Sequence, residues 1–393
     1  MQDYKYLIIG GGMTADSAVS GIREVDPAGK VGIISMEANR PYDRPPLTKA
    51  LWKGKPLESI WRQTEAKHVQ FHLERTAQLI DIQQKRVVDD QQNIYTFEKL
   101  LLATGGRPRR LPFGHEEIIY YRTLEDYRRL RSLTESNKRF AVIGGGFIGS
   151  EIAAALAMTQ KPVVMIFPGS GIGSRVFPRD LSEFLNGYYR EKGVEILAGE
   201  SVKGLAKRGD QLVLHSSTGR EVIVSGIVAG IGIQPNVELA QAAGLKVENG
   251  IVVNEHLQTT NPDIYSAGDA AAFYNPALEN YIRVEHEDNA NTMGQLAGRN
   301  MAGKSDAYRH LPSFYSDLFD LGYEAVGDLD ARMETVADWK VPFREGVIYY
   351  LRAGRVRGVL LWNVWNQVDA ARSLISGAAR FRPDDLKGRL PAS

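Results

Sequence analysis

The 393-residue sequence predicts an α/β protein with two parallel-sheet units in tandem, followed by a smaller α+β domain. Three observations predict it. The apolar run Tyr6-Leu7-Ile8-Ile9 leads straight into Gly10-Gly11-Gly12, and Phe140-Ala141-Val142-Ile143 leads straight into Gly144-Gly145-Gly146. Each has the pattern of a strand feeding a glycine turn that opens a helix. After about residue 307 the character changes: 347–351 and 356–362 read as strands paired around Ala353-Gly354, and 369–375 reads as a helix.

The two glycine turns carry the most information. In the first, Gly10 makes the tight turn, Gly12 lets backbone approach a pyrophosphate, and the small Ala15 lets helix and strand pack closely. In the second, Gly144, Gly146 and Gly149 take the same places, with Phe147 and Ile148 inside the motif. Two such turns in context predict two Rossmann-like dinucleotide-binding units, hence electron transfer between two dinucleotides. The first βαβ unit runs over 4–36, with its second strand at 30–35, and a Pro-rich loop over 40–49 follows it. The second opens at Arg139, with its second strand at 162–167. Residues 211–215 and 221–225 read as a hairpin, 227–229 as a strand, and 261–271 as another strand-to-helix turn.

Composition narrows the function classes. A net charge of +1 gives no electrostatic case for nucleic acid or a membrane surface, and no apolar run is long enough to span a bilayer. The chain enters a strand almost at once, so a cytoplasmic location is expected. With no cysteine, a structural disulfide, a thiolate metal site and a redox dithiol are all excluded. His68 and His72 are four residues apart, but no motif residues support a metal there.

Pro41-Tyr42-Asp43-Arg44-Pro45-Pro46-Leu47-Thr48-Lys49, Ala103-Thr104-Gly105, Gly268-Asp269-Ala270, Val284-Glu285-His286-Glu287-Asp288 and Val359-Leu360-Leu361-Trp362-Asn363 resemble one family. It is the FAD/NAD(P)-dependent pyridine nucleotide oxidoreductases, in the branch of ferredoxin reductases and apoptosis-inducing factor. The resemblance covers essentially the whole chain. The targeting segment, membrane segment and long insertion of the mammalian apoptosis-inducing factor have no counterpart, so its apoptotic role is not carried over. The resemblance implies an FAD domain over 1–114 and 249–307, an NAD(P) domain over 115–248, and a C-terminal α+β domain over 308–393.

It also implies roles for individual residues. Gly10, Gly12 and Ala15 hold the FAD pyrophosphate, and Glu37 is the best match to the ribose-binding acid, one place later than usual. Arg44, stiffened by Pro45, offers a planar fork to phosphate. Ala103, Thr104, Gly105 and Arg109 form a further FAD contact. Asp269 is the ribityl-hydroxyl acceptor, a helix N-cap, or both. Glu285 and His286 belong to a flavin-edge loop, and Trp362 stacks near the flavin or fills the core. Lys49 and Glu151 pair beside flavin N5, where a cation favours the anionic reduced form. Glu151 is assigned to the first turn of the second nucleotide helix, where the helix dipole adds support. Phe147 either covers the flavin face or packs in the core. Gly144, Gly146, Ile148, Gly149 and Gly232 line the NAD(P) side.

NADH and NADPH stay open at this stage. The second strand of that unit ends in Phe167, and Gly169 stands where apoptosis-inducing-factor relatives carry a glutamate; Arg175 is within loop reach of a 2′-phosphate. For the electron outlet a protein acceptor such as ferredoxin or rubredoxin leads, with a basic dock from Arg107, Arg109, Arg110, Arg352, Arg355 and Arg357. A quinone or oxygen is second, and a slow-turnover, redox-sensing homodimer is third.

Overall fold

The structure, a computed structural model, describes residues 1–135 and 138–390. The chain divides into two compact units, each assembled from three stretches. The first comprises Met1–Arg44, Leu57–Arg107 and Gln234–Ser313. The second comprises Pro45–Pro56, Pro108–Ile233 and the chain from Phe314 on.

In the first unit the strand Gln2–Ile9 lies between Val31–Ile34 and Ile94–Leu102, parallel to both. Val69–His72 and Ile264–Ser266 add parallel strands on either side. Leu7, Ile8, Ile33, Leu100 and Leu101 are fully buried, because a parallel sheet is covered on both faces and its strands read as continuous apolar runs. Two helices, Met13–Val25 and Glu287–Met301, approach each other at backbone contact. A Cβ on Gly21 would lie 2.0 Å from the Gln295 carbonyl oxygen, and one on Gly298 would lie 2.0 Å from that of Ala18, so only glycine allows this approach.

The strand-to-helix turn expected at 261–271 is corrected by the structure. Ile264–Ser266 leads into a single 3-10 turn, Gly268–Ala270, and then into a further strand, Ala271–Asn275. That strand pairs in parallel with Gly250–Val252. A distant sheet partner decides the conformation here, and Asp269 is not a helix N-cap, a place held by Ala267 in the short turn.

The second unit has a five-stranded parallel sheet in the order Val194–Ala198, Val163–Phe167, Phe140–Ile143, Gly226–Ala229, Ile118–Tyr120. The expected hairpin is present as Gln211–Ser216 and Glu221–Val224, with Val202–Arg208 as a third strand. Beyond it lies a five-stranded sheet in the order Ser313–Leu318, Leu321–Gly327, Arg355–Trp362, Glu345–Arg352, Glu334–Val341. The helix Val368–Ser376 follows. Among the described residues no helix is long and apolar enough to cross a membrane.

Candidate functional site

The two glycine turns have the same backbone geometry. Gly10 and Gly144 both adopt φ +115°, where an L side chain is strained; a Cβ would lie 2.0 Å from the Ala103 carbonyl oxygen in the first and 2.3 Å from that of Gly230 in the second. Gly12 and Gly146 are the N-cap residues of the following helices, and neither helix receives a side-chain cap. A Cβ on either would meet nothing within 4 Å. Each turn therefore presents uncapped helix N–H groups to open space at the residue where a pyrophosphate must come close. The third positions differ. Ala15 carries its methyl, whereas a Cβ on Gly149 would lie 2.1 Å from the Gly144 carbonyl oxygen.

Around the first turn the polar residues gather. The Arg44 guanidinium pairs with the Glu37 carboxylate, which also accepts from the Tyr42 hydroxyl at 2.7 Å. Burial opposes the Arg44 charge, but Glu37, Tyr42 and Asp269 outweigh it and hold its pKa above the ordinary value. Ala103-Thr104-Gly105 is pinned by Asn236, whose side-chain amide donates to the Thr104 carbonyl at 2.9 Å and whose own carbonyl accepts from the Thr104 hydroxyl at 2.7 Å. Asp269 offers its carbonyl to Arg283, which is ion-paired with Glu285 at 2.7 Å. His286 is the N-cap residue of Glu287–Met301. Arg109 falls in the second unit, beside Gly232, whose carbonyl accepts from the Arg109 N–H at 2.9 Å.

The second unit holds Lys49 and Glu151 together. Lys49 Nζ lies 2.7 Å from Glu151 Oε1, with both side chains almost fully buried. Glu151 Oε2 accepts from the Thr48 hydroxyl at 2.5 Å, and Oε1 accepts from the Ser316 hydroxyl at 2.5 Å. Burial and then the Glu151 charge push the Tyr189 and Tyr323 hydroxyls well above the usual phenol range. The Lys49 segment is itself clamped, since the Leu47 carbonyl accepts from Trp52 Nε1 at 2.8 Å and from the buried Tyr121 hydroxyl at 2.5 Å. Lys49 Nζ also sits 5.1 Å from the centre of the Tyr315 ring, which is 42% exposed. Half-buried Phe147 packs its ring 5.1 Å from Phe314.

Residues 4–294 match the pyridine nucleotide-disulphide oxidoreductase family, and 297–342 and 337–377 match the C-terminal domain of mitochondrion-associated apoptosis-inducing factor. The chain belongs to the pyridine nucleotide oxidoreductase family. It is 34% identical to apoptosis-inducing factor 1 of Dictyostelium discoideum, over 95% of this chain and 79% of that one. It is 30% identical to putidaredoxin reductase of Pseudomonas putida, over 97% of this chain and 93% of that one. The fold matches the covalent putidaredoxin reductase–putidaredoxin complex with a TM-score of 0.91 and 29% identity, covering 98% of this chain and 96% of that one.

As a member of this family it is an FAD-dependent NAD(P)H oxidoreductase. The residues present fit both cofactors: each uncapped turn leaves room at Gly12 or Gly146, and Arg44 and Glu37 supply a cation and an acceptor near the first. The family's name includes a disulphide, but this chain has no cysteine to form one.

One expectation changes and two narrow. Trp362 is fully buried, stacked on Tyr323 with ring centres 5.6 Å apart, and its indole N–H donates to the Phe343 carbonyl at 3.0 Å, which favours the core of its two expected places. Glu151 is the fifth residue of the helix Phe147–Met158, not in its first turn, which moves it away from the strongest part of the helix dipole. Of the six arginines expected to form a basic dock, Arg107 pairs with Glu238 and Arg352 with Asp328 at the surface, and Arg357 is buried. Thr48 was read only as part of the Pro-rich motif and given no role, and Ser316 and Tyr315 escaped the sequence reading, since a lone hydroxyl or phenol in a strand carries no spacing signal. Among the described residues no group of His, Asp or Glu is placed to hold a metal.

Proposed function

We propose that the chain oxidises NAD(P)H and delivers the electrons to a small iron–sulfur protein of the ferredoxin type. The buried Lys49–Glu151 pair, completed by Thr48 and Ser316, carries this reading. FAD, when bound, supplies the conversion of a two-electron donor into single electrons. Lys49 places a fixed cation in a nearly dry setting, where it favours arriving negative charge far more than in water. Glu151 holds that cation in place, and the two hydroxyls hold Glu151. Phe147, half-buried with its ring tilted against Phe314, serves as a ring that turns aside when the nicotinamide stacks. With no cysteine, the outlet is direct and no internal dithiol intervenes.

The likeness to putidaredoxin reductase solved in covalent complex with putidaredoxin supports the choice of acceptor. In this reading 1–114 and 249–307 form the FAD domain, 115–248 the NAD(P) domain and 308–393 the C-terminal domain, with a cytoplasmic site of action. The match of 297–342 and 337–377 to apoptosis-inducing factor favours a second reading, a redox-sensing dimer with slow turnover. Steady-state turnover against ferredoxin, rubredoxin, a quinone and oxygen separates them. Fast reduction of an iron–sulfur acceptor is expected. Uniformly slow turnover, with a reduced state that persists in air, would instead establish the sensor.

A further inference from the structure

The end of the strand Val163–Phe167 is where a nicotinamide-binding unit reads the adenosine ribose: an acid there accepts from the 2′-hydroxyl of NADH, and a cation there meets the 2′-phosphate of NADPH. This chain has no acid at that strand end. Phe167 is buried, and a Cβ on Gly145 would lie 2.8 Å from its ring. Pro168, Gly169 and Ser170 come next, and a Cβ on Gly169 would lie 2.5 Å from Ser174 Oγ, so a serine hydroxyl occupies the space a longer side chain at 169 would need.

The loop is built rather than slack. Asn186 donates to the Ser170 carbonyl at 3.0 Å and accepts from the Ile172 N–H at 3.1 Å, and the Ser182 hydroxyl donates to the Ile172 carbonyl at 2.7 Å. Gly173 N–H donates to the Gly145 carbonyl at 2.8 Å, tying the loop to the glycine turn itself. Arg175 is exposed, and its carbonyl is fixed by the Ala331 N–H at 3.0 Å. Among the described residues the Arg175 guanidinium has no ion pair and the hydroxyls of Ser170 and Ser174 have no side-chain partner. Glu200, whose N–H donates to the Phe167 carbonyl at 3.2 Å, has its carboxylate taken: its Oε2 accepts from Thr218 at 2.7 Å and its Oε1 faces Arg220 at 3.5 Å.

We infer that the loop from Gly169 to Arg175 receives the 2′-phosphate of NADPH, with Arg175, Ser174 and Ser170 as its donors, so that this chain prefers NADPH to NADH. The inference rests on the second glycine turn being the nicotinamide-nucleotide site. A planar guanidinium and two hydroxyls suit a phosphate dianion, whereas the ribose 2′-hydroxyl of NADH finds no carboxylate here.

The test is calorimetric titration of the oxidised holoprotein with adenosine 2′,5′-bisphosphate and with 5′-AMP, which differ only in the 2′-phosphate. The bisphosphate is expected to bind roughly 10-fold or more tightly, the scale of a charge-assisted contact, and its advantage should shrink as salt rises. Arg175→Gln should erase the advantage and leave 5′-AMP unchanged, Arg175→Lys should keep part of it, and Ser174→Ala should lower it. The ratio of kcat/KM for NADPH over NADH should fall in the same order. Equal binding of the two nucleotides, or an Arg175→Gln effect that falls equally on both, overturns the inference. Failure of both nucleotides and of both NADH and NADPH to bind overturns the assignment of the second turn itself.

Discussion

Glu151 is buried and meets a cation and two hydroxyls, and that number of partners makes its energetics testable. Removing Lys49 strands a carboxylate in a nearly dry place, which costs far more than the pair contributes when intact. Lys49→Ala is therefore expected to slow flavin reduction by NAD(P)H by roughly 10²-fold, the usual effect of deleting one fixed electrostatic group. Glu151→Ala in that background should restore part of the rate, because the repelling charge is gone. Stopped-flow reduction of the two single variants and the double variant should give a coupling of about 0.5–3 kcal/mol, and strict additivity would mean that the residues act apart. Ser316→Ala is the milder probe. It removes a donor to a charged oxygen and should lower stability by about 1.5–3 kcal/mol, read by chemical denaturation, while Lys49 still neutralises Glu151.

The edge strand Val69–His72 shows how an element borrows a titratable group for structure. His72 Nε2 lies 2.7 Å from the Tyr4 hydroxyl, and the His72 ring sits 4.7 Å from the Tyr95 ring. Burial holds its pKa below the usual imidazole value; Arg75 and Lys30 add to this and the Asp89 charge opposes it. The unfolded chain thus binds this proton more readily than the folded one. The stability His72 contributes is whole above the unfolded pKa of about 6.5 and is lost as pH falls from there through the depressed folded value. Denaturation between pH 7.5 and 5.5 should show a loss that His72→Gln reduces, and an unchanged slope in that variant would place the titration elsewhere. Elements of this kind mark what was legible. Both strand–turn–helix units could be read because apolar runs and glycine turns are local signals. The strand Ala271–Asn275 could not, because its partner Gly250–Val252 imposes it from a distance. Lys49 and Glu151 came only through the family resemblance, and Ser316, from a strand some 165 residues away, gave no sign at all. Trp362 stayed open between two places for the same reason: an indole reads alike whether it faces a cofactor or a core.

At the scale of the whole molecule, one motif occurs twice and each copy lies in its own compact unit. The cysteine-free chain leaves flavin chemistry as the internal redox step, so thiol-alkylating reagents should leave NAD(P)H-driven reduction unchanged. The duplication also permits a matched pair of variants. Gly10 and Gly144 cannot serve, because each lies at φ +115° with a carbonyl oxygen within 2.3 Å of any Cβ. Gly149 cannot serve either, since its Cβ would meet the Gly144 carbonyl oxygen at 2.1 Å and the helix would have to move. Gly12 and Gly146 remain, each with open space where a methyl would go. At an N-cap, Gly→Ala costs on the order of 1 kcal/mol, so both variants should fold. The methyl then obstructs only what the turn binds. Gly12→Ala should emerge with reduced FAD content, measured by absorbance of the flavin released on denaturation, while still binding nicotinamide nucleotide. Gly146→Ala should retain its FAD and bind NADPH and NADH more weakly, measured by titration. Were the losses reversed, the two turns would have exchanged cofactors; were both variants to lose both, the turns would not act as separate sites.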